Sequence, residues 1–248
     1  MAGAAFRRLA VAVAAVVIAL PAAMAATVPD GSIFFDVHYG SQGFKIGEAR
    51  HDWHFADKRY EMRLNLEAKG LAGLFGLQYE QRSTGTVDAA GIRPARFVVE
   101  QRGRKLETAE FDWAAARVSI RRDGVERRSG EIRPGDQDLL SLWHQARRVA
   151  EGDKPLQLTV VTNKSVKRAT LQPEGRDTLQ LAIGAVDTLR VRAWAEEGEL
   201  DIDIWLSLQH DLLPVRIRIT DEKGGVLDQR AARIELGAPA AATQTTQK

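Results

Sequence analysis

Apolar and polar residues alternate with a period of two over much of this chain, and no other feature limits its fold as strongly. The alternation is clear over residues 33–39, 60–66, 200–206 and 215–219. Successive side chains of a β-strand point to opposite faces, so each of these segments would have one apolar face and one largely polar face. The pattern predicts half-buried strands of an antiparallel sheet.

Turn-forming residues separate the alternating segments at short intervals, for example at residues 56–58, 123–124 and 223–225. Short turns join strands that are neighbours in the sheet, so we predict hairpins and meanders of about a dozen strands. The sequence therefore predicts a mainly β protein in a single domain, residues 26–237. Its expected core is a long curved antiparallel sheet, either a half-open barrel or a sandwich, with one main helix.

The N-terminus has the three parts of a secretory signal peptide, which we predict over residues 1–25. Arg7 and Arg8 precede the apolar run Leu9–Leu20, and the small residues around Ala25 follow. The apolar run is shorter than the roughly 20 residues that span a bilayer, which argues against the alternative of an uncleaved anchor. We expect a periplasmic protein without a stable membrane anchor after cleavage. The tail, 238–248, lacks periodicity and is predicted to be disordered.

Charge and cysteine content exclude several classes of protein. The chain has 35 Lys and Arg against 33 Asp and Glu. Removal of the predicted signal takes away two arginines and no acid, so the mature protein would be neutral. A neutral chain gives no reason to expect nucleic acid as a partner. There is no cysteine, so stability in an oxidising compartment must come from an ordinary core.

Asp138, Ser141 and His144 are spaced three residues apart and raise the question of a catalytic triad. Side chains on one helix all lean toward its N-terminus, which makes a serine–histidine–aspartate relay awkward. No Gly-x-Ser-x-Gly turn surrounds the serine. We predict instead a helix over 136–150, capped by Asp136 or Asp138, with the serine and the histidine on a partly exposed flank. The residues expected to meet the sheet are Leu139, Leu142, Trp143 and Ala146.

Other polar residues suggest no metal or cofactor. His51 and His54 have opposite strand parity and cannot share an ion, so His51 is interpreted as a histidine at the edge of the core. Asp201 and Asp203 share a face without the pattern of a calcium loop and are expected on a solvated sheet face. Two alternatives stay open: a glycosidase-type pair of acids from different strands, and an arginine-lined groove for phosphate or carboxylate groups.

The stretch 69–79 combines apolar residues with three glycines, which predicts a short helical turn or an apolar flap. A half-open barrel with this flap and the helix laid across it would leave a cavity for an acyl chain or a similar ligand. The alternative is that helix and flap complete a solid core. The residues predicted to contact a ligand are Leu71, Leu74, Phe75, Leu77 and Trp143.

Five short stretches, in this order, resemble the domain-of-unknown-function 3108 family of exported bacterial proteins. The resemblance covers the chain from about Ile33 to Leu236. It implies a periplasmic all-β fold with a long antiparallel sheet curved around a helix. The stretches are GIRPARF at Gly91–Phe97, EFDW at Glu110–Trp113, DLLSLW at Asp138–Trp143, GAVDTLRV at Gly184–Val191 and WLSLQHDLLPVRIRI at Trp205–Ile219.

What the resemblance implies about individual residues is structural. It implies that Gly91 and Pro94 lie at a turn and a strand start. It also implies that Asp138 caps a helix and that Pro214 lies at a strand start. It implies no catalytic residues.

The sequence thus favours a non-enzymatic periplasmic protein that binds an apolar or amphiphilic envelope ligand, as a carrier or chaperone of lipid or lipoprotein. A carbohydrate-active or other hydrolase with acids on the sheet face is the first alternative. A structural interaction module of the cell envelope is the second, because long open sheets expose strand edges. The sequence does not identify a protein partner.

Overall fold

The computed structural model describes residues 29–69, 78–88, 91–150, 152, 154–196, 198 and 201–237. The predicted signal peptide, 1–25, and the predicted tail, 238–248, lie outside the described residues. The same is true of four predicted ligand contacts, Leu71, Leu74, Phe75 and Leu77.

Strands dominate the described chain, as the alternation predicts, and there are fifteen of them rather than about a dozen. The one helix in the described ranges is α1, Leu139–Ala150, and none there is long and apolar enough to cross a membrane. The strands are β1 Gly31–Tyr39, β2 Phe44–Ala56, β3 Arg59–Ala68, β4 Gln78–Asp88, β5 Gly91–Gln101, β6 Glu107–Asp112, β7 Arg117–Arg122, β8 Val125–Glu131, β9 Gln137–Asp138, β10 Leu156–Val161, β11 Val166–Leu181, β12 Gly184–Ala195, β13 Asp201–Ser207, β14 Pro214–Thr220 and β15 Val226–Leu236.

All fifteen strands form one sheet, in the order β8-β7-β6-β5-β4-β3-β2-β1-β15-β14-β13-β12-β11-β10-β9. Two antiparallel meanders, β1–β8 and β10–β15, meet where β1 pairs with β15. The short strand β9 pairs in parallel with β10. The sheet does not close into a barrel, and β8 and β9 are its edges.

The sheet curves around the helix. Helix α1 contacts β3, β4 and β5 from the first meander and β10 to β13 from the second. These groups of strands lie on opposite sides of the central β1–β15 pair, so both can reach one helix only if the sheet bends around it. The edge strand β8 also comes close to β11, because a Cβ on Gly130 would lie 2.7 Å from the Val166 side chain. The predicted long curved antiparallel sheet with one main helix is therefore confirmed, in the half-open form.

The period-two pattern correctly predicts which residues enter the core. Phe35, Met62 and Ile204 are fully buried on the concave face. Their strand neighbours alternate to the outer face, where Trp205 is buried instead by stacking between the guanidinium groups of Arg190 and Arg216. The outer face is thus covered by its own long side chains, and the concave face holds the main core.

One prediction about the helix is wrong. Ser141 and His144 were expected on a partly exposed flank, but both are buried, at 0% and 4% exposure. The reason is the curvature of the sheet: strands from both meanders contact α1, so neither flank faces solvent. The helix also begins later than residue 136, because Gln137 and Asp138 pair with β10 before it starts.

Candidate ligand cavity between the helix and the sheet

The concave face is not completely filled. A cavity of about 460 Å³ lies between the first turn of α1 and the sheet. We call it the Trp143 cavity, after the largest side chain on its wall. It is lined by Tyr39, Ile46, Leu64, Leu66, Tyr79, Gln81, Leu139, Trp143, Ile219, Leu227 and Gln229.

Strand alternation places these residues on one wall. The pairs Leu64 and Leu66, Tyr79 and Gln81, and Leu227 and Gln229 are each two residues apart, so each pair points to the same face. The helix supplies Leu139 and Trp143 from positions four apart, which lie on one helical face. Six strands and the helix therefore contribute apolar surface to a single space.

The cavity reaches the surface at the hairpin between β1 and β2. Tyr39 lines the cavity and is 50% exposed, and its cross-strand partner Phe44 is 69% exposed. Exposed aromatic residues on paired strands form an apolar rim. Of these two residues, Tyr39 belongs to the cavity wall.

Of the residues predicted to contact a ligand, the structure describes Trp143 alone. Trp143 is 1% exposed and lines the cavity. The role of Leu71, Leu74, Phe75 and Leu77 stays a prediction, since they lie outside the described ranges. The stretch that contains them connects β3 and β4, which contribute Leu66 and Tyr79 to the cavity wall.

A buried histidine pair lies behind the cavity wall. The Nε2 atoms of His51 on β2 and His144 on α1 are 3.0 Å apart. The ring of His51 is 5.3 Å from that of Trp143, and the ring of Trp53 is 5.5 Å from that of His144. Burial lowers the pKa of His51 to about 3. Burial, the neighbouring His51 and Arg147 together hold the pKa of His144 well below its usual value.

Both rings are therefore neutral at physiological pH, with one Nε2 as donor and the other as acceptor. His51 was expected at the edge of the core, but it lies inside the core at 1% exposure, and the pair itself was missed. One signal could have found it: His144 is four residues after the fully buried Leu140, on the same helical face.

Asp138 begins the helix and ties it to the sheet. Its Oδ1 accepts hydrogen bonds from the backbone N–H groups of Leu140 and Ser141, at 2.9 and 2.8 Å. Its Oδ2 accepts a 2.5 Å bond from the hydroxyl of Ser83. The Tyr60 hydroxyl lies 2.8 Å from Ser83 Oγ and donates to it, because the serine proton is already committed. The predicted cap is confirmed.

These bonds also explain why Asp138, Ser141 and His144 form no triad. Ser141 Oγ accepts a 3.1 Å bond from the Asp138 backbone N–H. In the described part of the chain, no hydrogen bond joins the serine to the histidine. Burial raises the pKa of Asp138 to about 6, although its hydrogen bonds act in the opposite direction. The three residues fix the helix in the sheet.

Acids on the outer face are paired with arginines. Asp203 accepts bonds from Arg190 at 2.7 and 2.9 Å. Asp228 is bonded by both Arg216 and Arg230, and these bonds lower its pKa although burial opposes the shift. The predicted position of Asp201 and Asp203 on a polar sheet face is confirmed, and each is bonded to an arginine, whereas Asp228 is buried at 4% exposure. Across the described ranges, no three His, Cys, Asp or Glu side chains cluster closely enough to hold a metal ion.

Two other grooves are open to solvent. One, of about 590 Å³, is lined by charged residues that include Asp52 and Glu61. Asp52 is already bonded to Arg50 at 2.7 Å. The other, of about 800 Å³, contains Glu80, Glu100 and Arg102. Neither groove combines enclosure with an apolar wall, so the Trp143 cavity is the better candidate for a ligand site.

Residues of the stretches that suggested a family make specific contacts in the structure. Gly91 leaves room for Gln145 of the helix, whose side-chain oxygen accepts a 3.2 Å bond from Ile92 N. The Pro94 carbonyl accepts a 2.5 Å bond from the indole of Trp113. Pro214 begins β14, as expected. The stretch Gly91–Phe97 thus contacts both the helix and the stretch Glu110–Trp113.

Comparison with solved structures supports the same architecture. A crystal structure of a beta-barrel-like protein of the domain of unknown function DUF1849 from Brucella abortus has a TM-score of 0.58 at 10% identity, over 86% of this chain and 99% of that chain. A protein described as a "putative lipoprotein" from Parabacteroides distasonis has a TM-score of 0.35 at 6% identity, over 83% of this chain and 95% of that one. The first similarity shows a shared fold, and the second carries no argument.

No protein with a curated description matches the chain significantly. The family described as "Protein of unknown function (DUF3108)" matches residues 35–230. That match spans most of the sequence and most of the strands of the sheet. The chain therefore belongs to the DUF3108 family.

Proposed function

We propose that this protein binds an apolar or amphiphilic molecule in the Trp143 cavity, as a non-enzymatic carrier or chaperone of lipid or lipoprotein. The observation that carries the proposal is the cavity: an uncharged space of about 460 Å³ between the helix and the concave sheet face. Small-molecule sites typically measure about 300–1,000 Å³ and have mostly apolar walls. The exposed rim at Tyr39 and Phe44 supports entry from solvent.

Binding of an apolar fluorescent probe tests the proposal. N-phenyl-1-naphthylamine, whose fluorescence rises in apolar surroundings, should bind the purified protein saturably. Leu227→Trp would fill the cavity that Leu227 lines and should weaken binding by roughly tenfold or more. Leu208→Trp is the matched control, because Leu208 is exposed and lies outside the lining.

Equal binding by the two variants, or no saturable binding by the wild-type protein, would show that the cavity is not a ligand site. Native mass spectrometry of protein purified from its own cells provides a second measurement. A bound amphiphile is expected on the wild-type protein and should be depleted on Leu227→Trp.

The proposed location is the periplasm, and it rests on the N-terminal sequence. Cell fractionation followed by intact-mass measurement should find a periplasmic form that lacks residues 1–25. A full-length protein retained in the cytoplasm would contradict both the location and an envelope ligand.

A further inference from the structure

We propose that the free edge of strand β8 binds an extended acidic segment of another polypeptide, which adds to the sheet as a further strand. This surface is separate from the Trp143 cavity, whose described lining includes no residue of β8. Three features carry the proposal: backbone groups that face away from the sheet, exposed side chains along the edge, and a local excess of positive charge.

The backbone of β8 has hydrogen-bonding groups that its neighbour does not use. In the described chain, β8 pairs only with β7. The N–H of Ile132 donates to the carbonyl of Ala116 at 3.0 Å, toward the β7 side. Backbone groups alternate in direction along an antiparallel strand, so those of Ser129 and Glu131 point away from β7. They are available for β-strand addition, in which an extended peptide pairs with a sheet edge.

The edge of β8 is exposed over most of its length. Val125 to Arg128 are exposed, and so is Glu131. Strand β11 approaches β8 at Gly130, where an added Cβ would lie 2.7 Å from the Val166 side chain. A Cβ points out of the face of a sheet and not along its hydrogen bonds. Val166 therefore packs on a face of β8, not along its edge.

Charge indicates which kind of segment fits this edge. Residues 117–133 contain six arginines and three acids, a net charge of +3, and the predicted mature chain is neutral, so the rest of it carries −3. The arginines of β7 are paired with acids, for example Arg122 with Glu107 at 2.6 Å. Arg127 and Arg128 of β8 form no ion pair within the described residues. An acidic segment would supply the missing countercharge.

The same charge disfavours a second copy of this chain as the occupant. Pairing between two β8 edges would bring together two segments that each carry a net charge of +3, and like charges oppose association. Proteins commonly use charged edge strands to prevent such self-pairing. The expected occupant is therefore a different polypeptide, in which acids alternate with strand-forming residues such as valine and threonine.

Fluorescence anisotropy of a labelled synthetic peptide tests the proposal. In the peptide, glutamate alternates with valine or threonine, and we expect saturable binding to the wild-type protein at low ionic strength. A form that is N-methylated at every peptide bond keeps all charges but has no backbone donors, and it should bind roughly tenfold more weakly or worse. Equal binding of the two forms, or no saturable binding of the first, would overturn the proposal.

Charge reversal locates the site on the protein. Arg127→Glu combined with Arg128→Glu should weaken binding of the unmethylated peptide by roughly tenfold or more. The matched control is Lys58→Glu combined with Arg59→Glu, which makes the same change in charge at exposed positions between β2 and β3. The control should bind within roughly twofold of the wild-type protein. Equal weakening by the two double variants would show that the β8 edge is not the site.

Ser129→Pro tests the backbone of the edge directly. It removes an N–H that faces away from β7, so circular dichroism should show an intact sheet while peptide binding weakens by roughly threefold to tenfold. Unchanged binding by a folded variant would contradict strand addition. If the variant does not fold, the methylated peptide still decides the question on the wild-type protein. Sedimentation equilibrium completes the test: a dimer that Ser129→Pro dissociates would make a second copy the occupant and overturn the proposal.

Discussion

His51 on β2 and His144 on α1 share a hydrogen bond between their Nε2 atoms, 3.0 Å long, at a sequence separation of 93 residues. This bond joins the helix to β2, the second strand of the first meander. Both rings are buried and neutral, and Trp53 and Trp143 pack against them. The contact is therefore stable only while neither ring takes up a second proton.

The histidine pair predicts that acid destabilises the protein. Both histidines have a pKa lowered on folding from 6.5, to about 3 for His51. The unfolded chain therefore binds more protons below pH 6.5, and the stability that the pair contributes is lost as the pH falls toward 3. Asp138 acts in the opposite direction between about pH 6 and 3.8, because its folded pKa is raised.

With two histidines against one aspartate, we expect the free energy of unfolding to fall by about 2–4 kcal/mol between roughly pH 7.5 and 5. Urea unfolding at a series of pH values measures this. The double variant His51→Leu, His144→Leu should give a flat or inverted profile over the same interval. If the free energy of unfolding of the double variant fell as much with decreasing pH as that of the wild-type protein, other groups would control the acid response.

Because Asp138 caps the helix, replacing it should lower the free energy of unfolding. The loss should be smaller when the new side chain still has a hydrogen-bond acceptor. Asp138→Ala removes the acceptor for Leu140 N, Ser141 N and the Ser83 hydroxyl, so it should destabilise the protein by about 2 kcal/mol or more at pH 7. Asp138→Asn keeps one acceptor oxygen and removes a buried charge, so it should cost less. Urea denaturation compares the two, and equal losses would argue against a capping role.

Trp143 is the largest fully buried side chain, and its removal should be costly. Trp143→Ala should lower the free energy of unfolding by about 3–5 kcal/mol. Trp194→Ala is the matched control, because Trp194 is only half-buried and stacks on Arg192. If the two variants lost equal stability, the helix would not be held by this side chain.

A side chain at Gly91 should clash with its surroundings. Gly184, which has a similar φ, allows this clash to be separated from backbone strain. A Cβ at Gly91 would lie 2.7 Å from the Gln145 side-chain oxygen, and φ there is 110°. Gly184 has a φ of 106° and open space around it. Gly91→Ala should therefore destabilise the protein by about 1 kcal/mol more than Gly184→Ala, since Gln145 must release Ile92 N. Thermal unfolding of the two variants measures the difference. Equal decreases in melting temperature would show that a clash with Gln145 does not contribute.

The sequence predicted the local structure well because local structure depends on nearby residues. Alternation from Ile33 to Tyr39 reflects the geometry of a single strand, and it correctly assigned Phe35 and Val37 to the core. The cap at Asp138 depends on residues two and three positions away. The family resemblance followed from short stretches in a fixed order, and the match over residues 35–230 confirms it.

Only the tertiary structure decided what surrounds the helix. Ser141 and His144 are buried because strands from both meanders wrap around α1, and the degree of curvature is not encoded in any single segment. The same curvature brings His51 to His144. It also leaves the Trp143 cavity where six strands and one helix turn meet, because a space between distant segments depends on sheet order and register together.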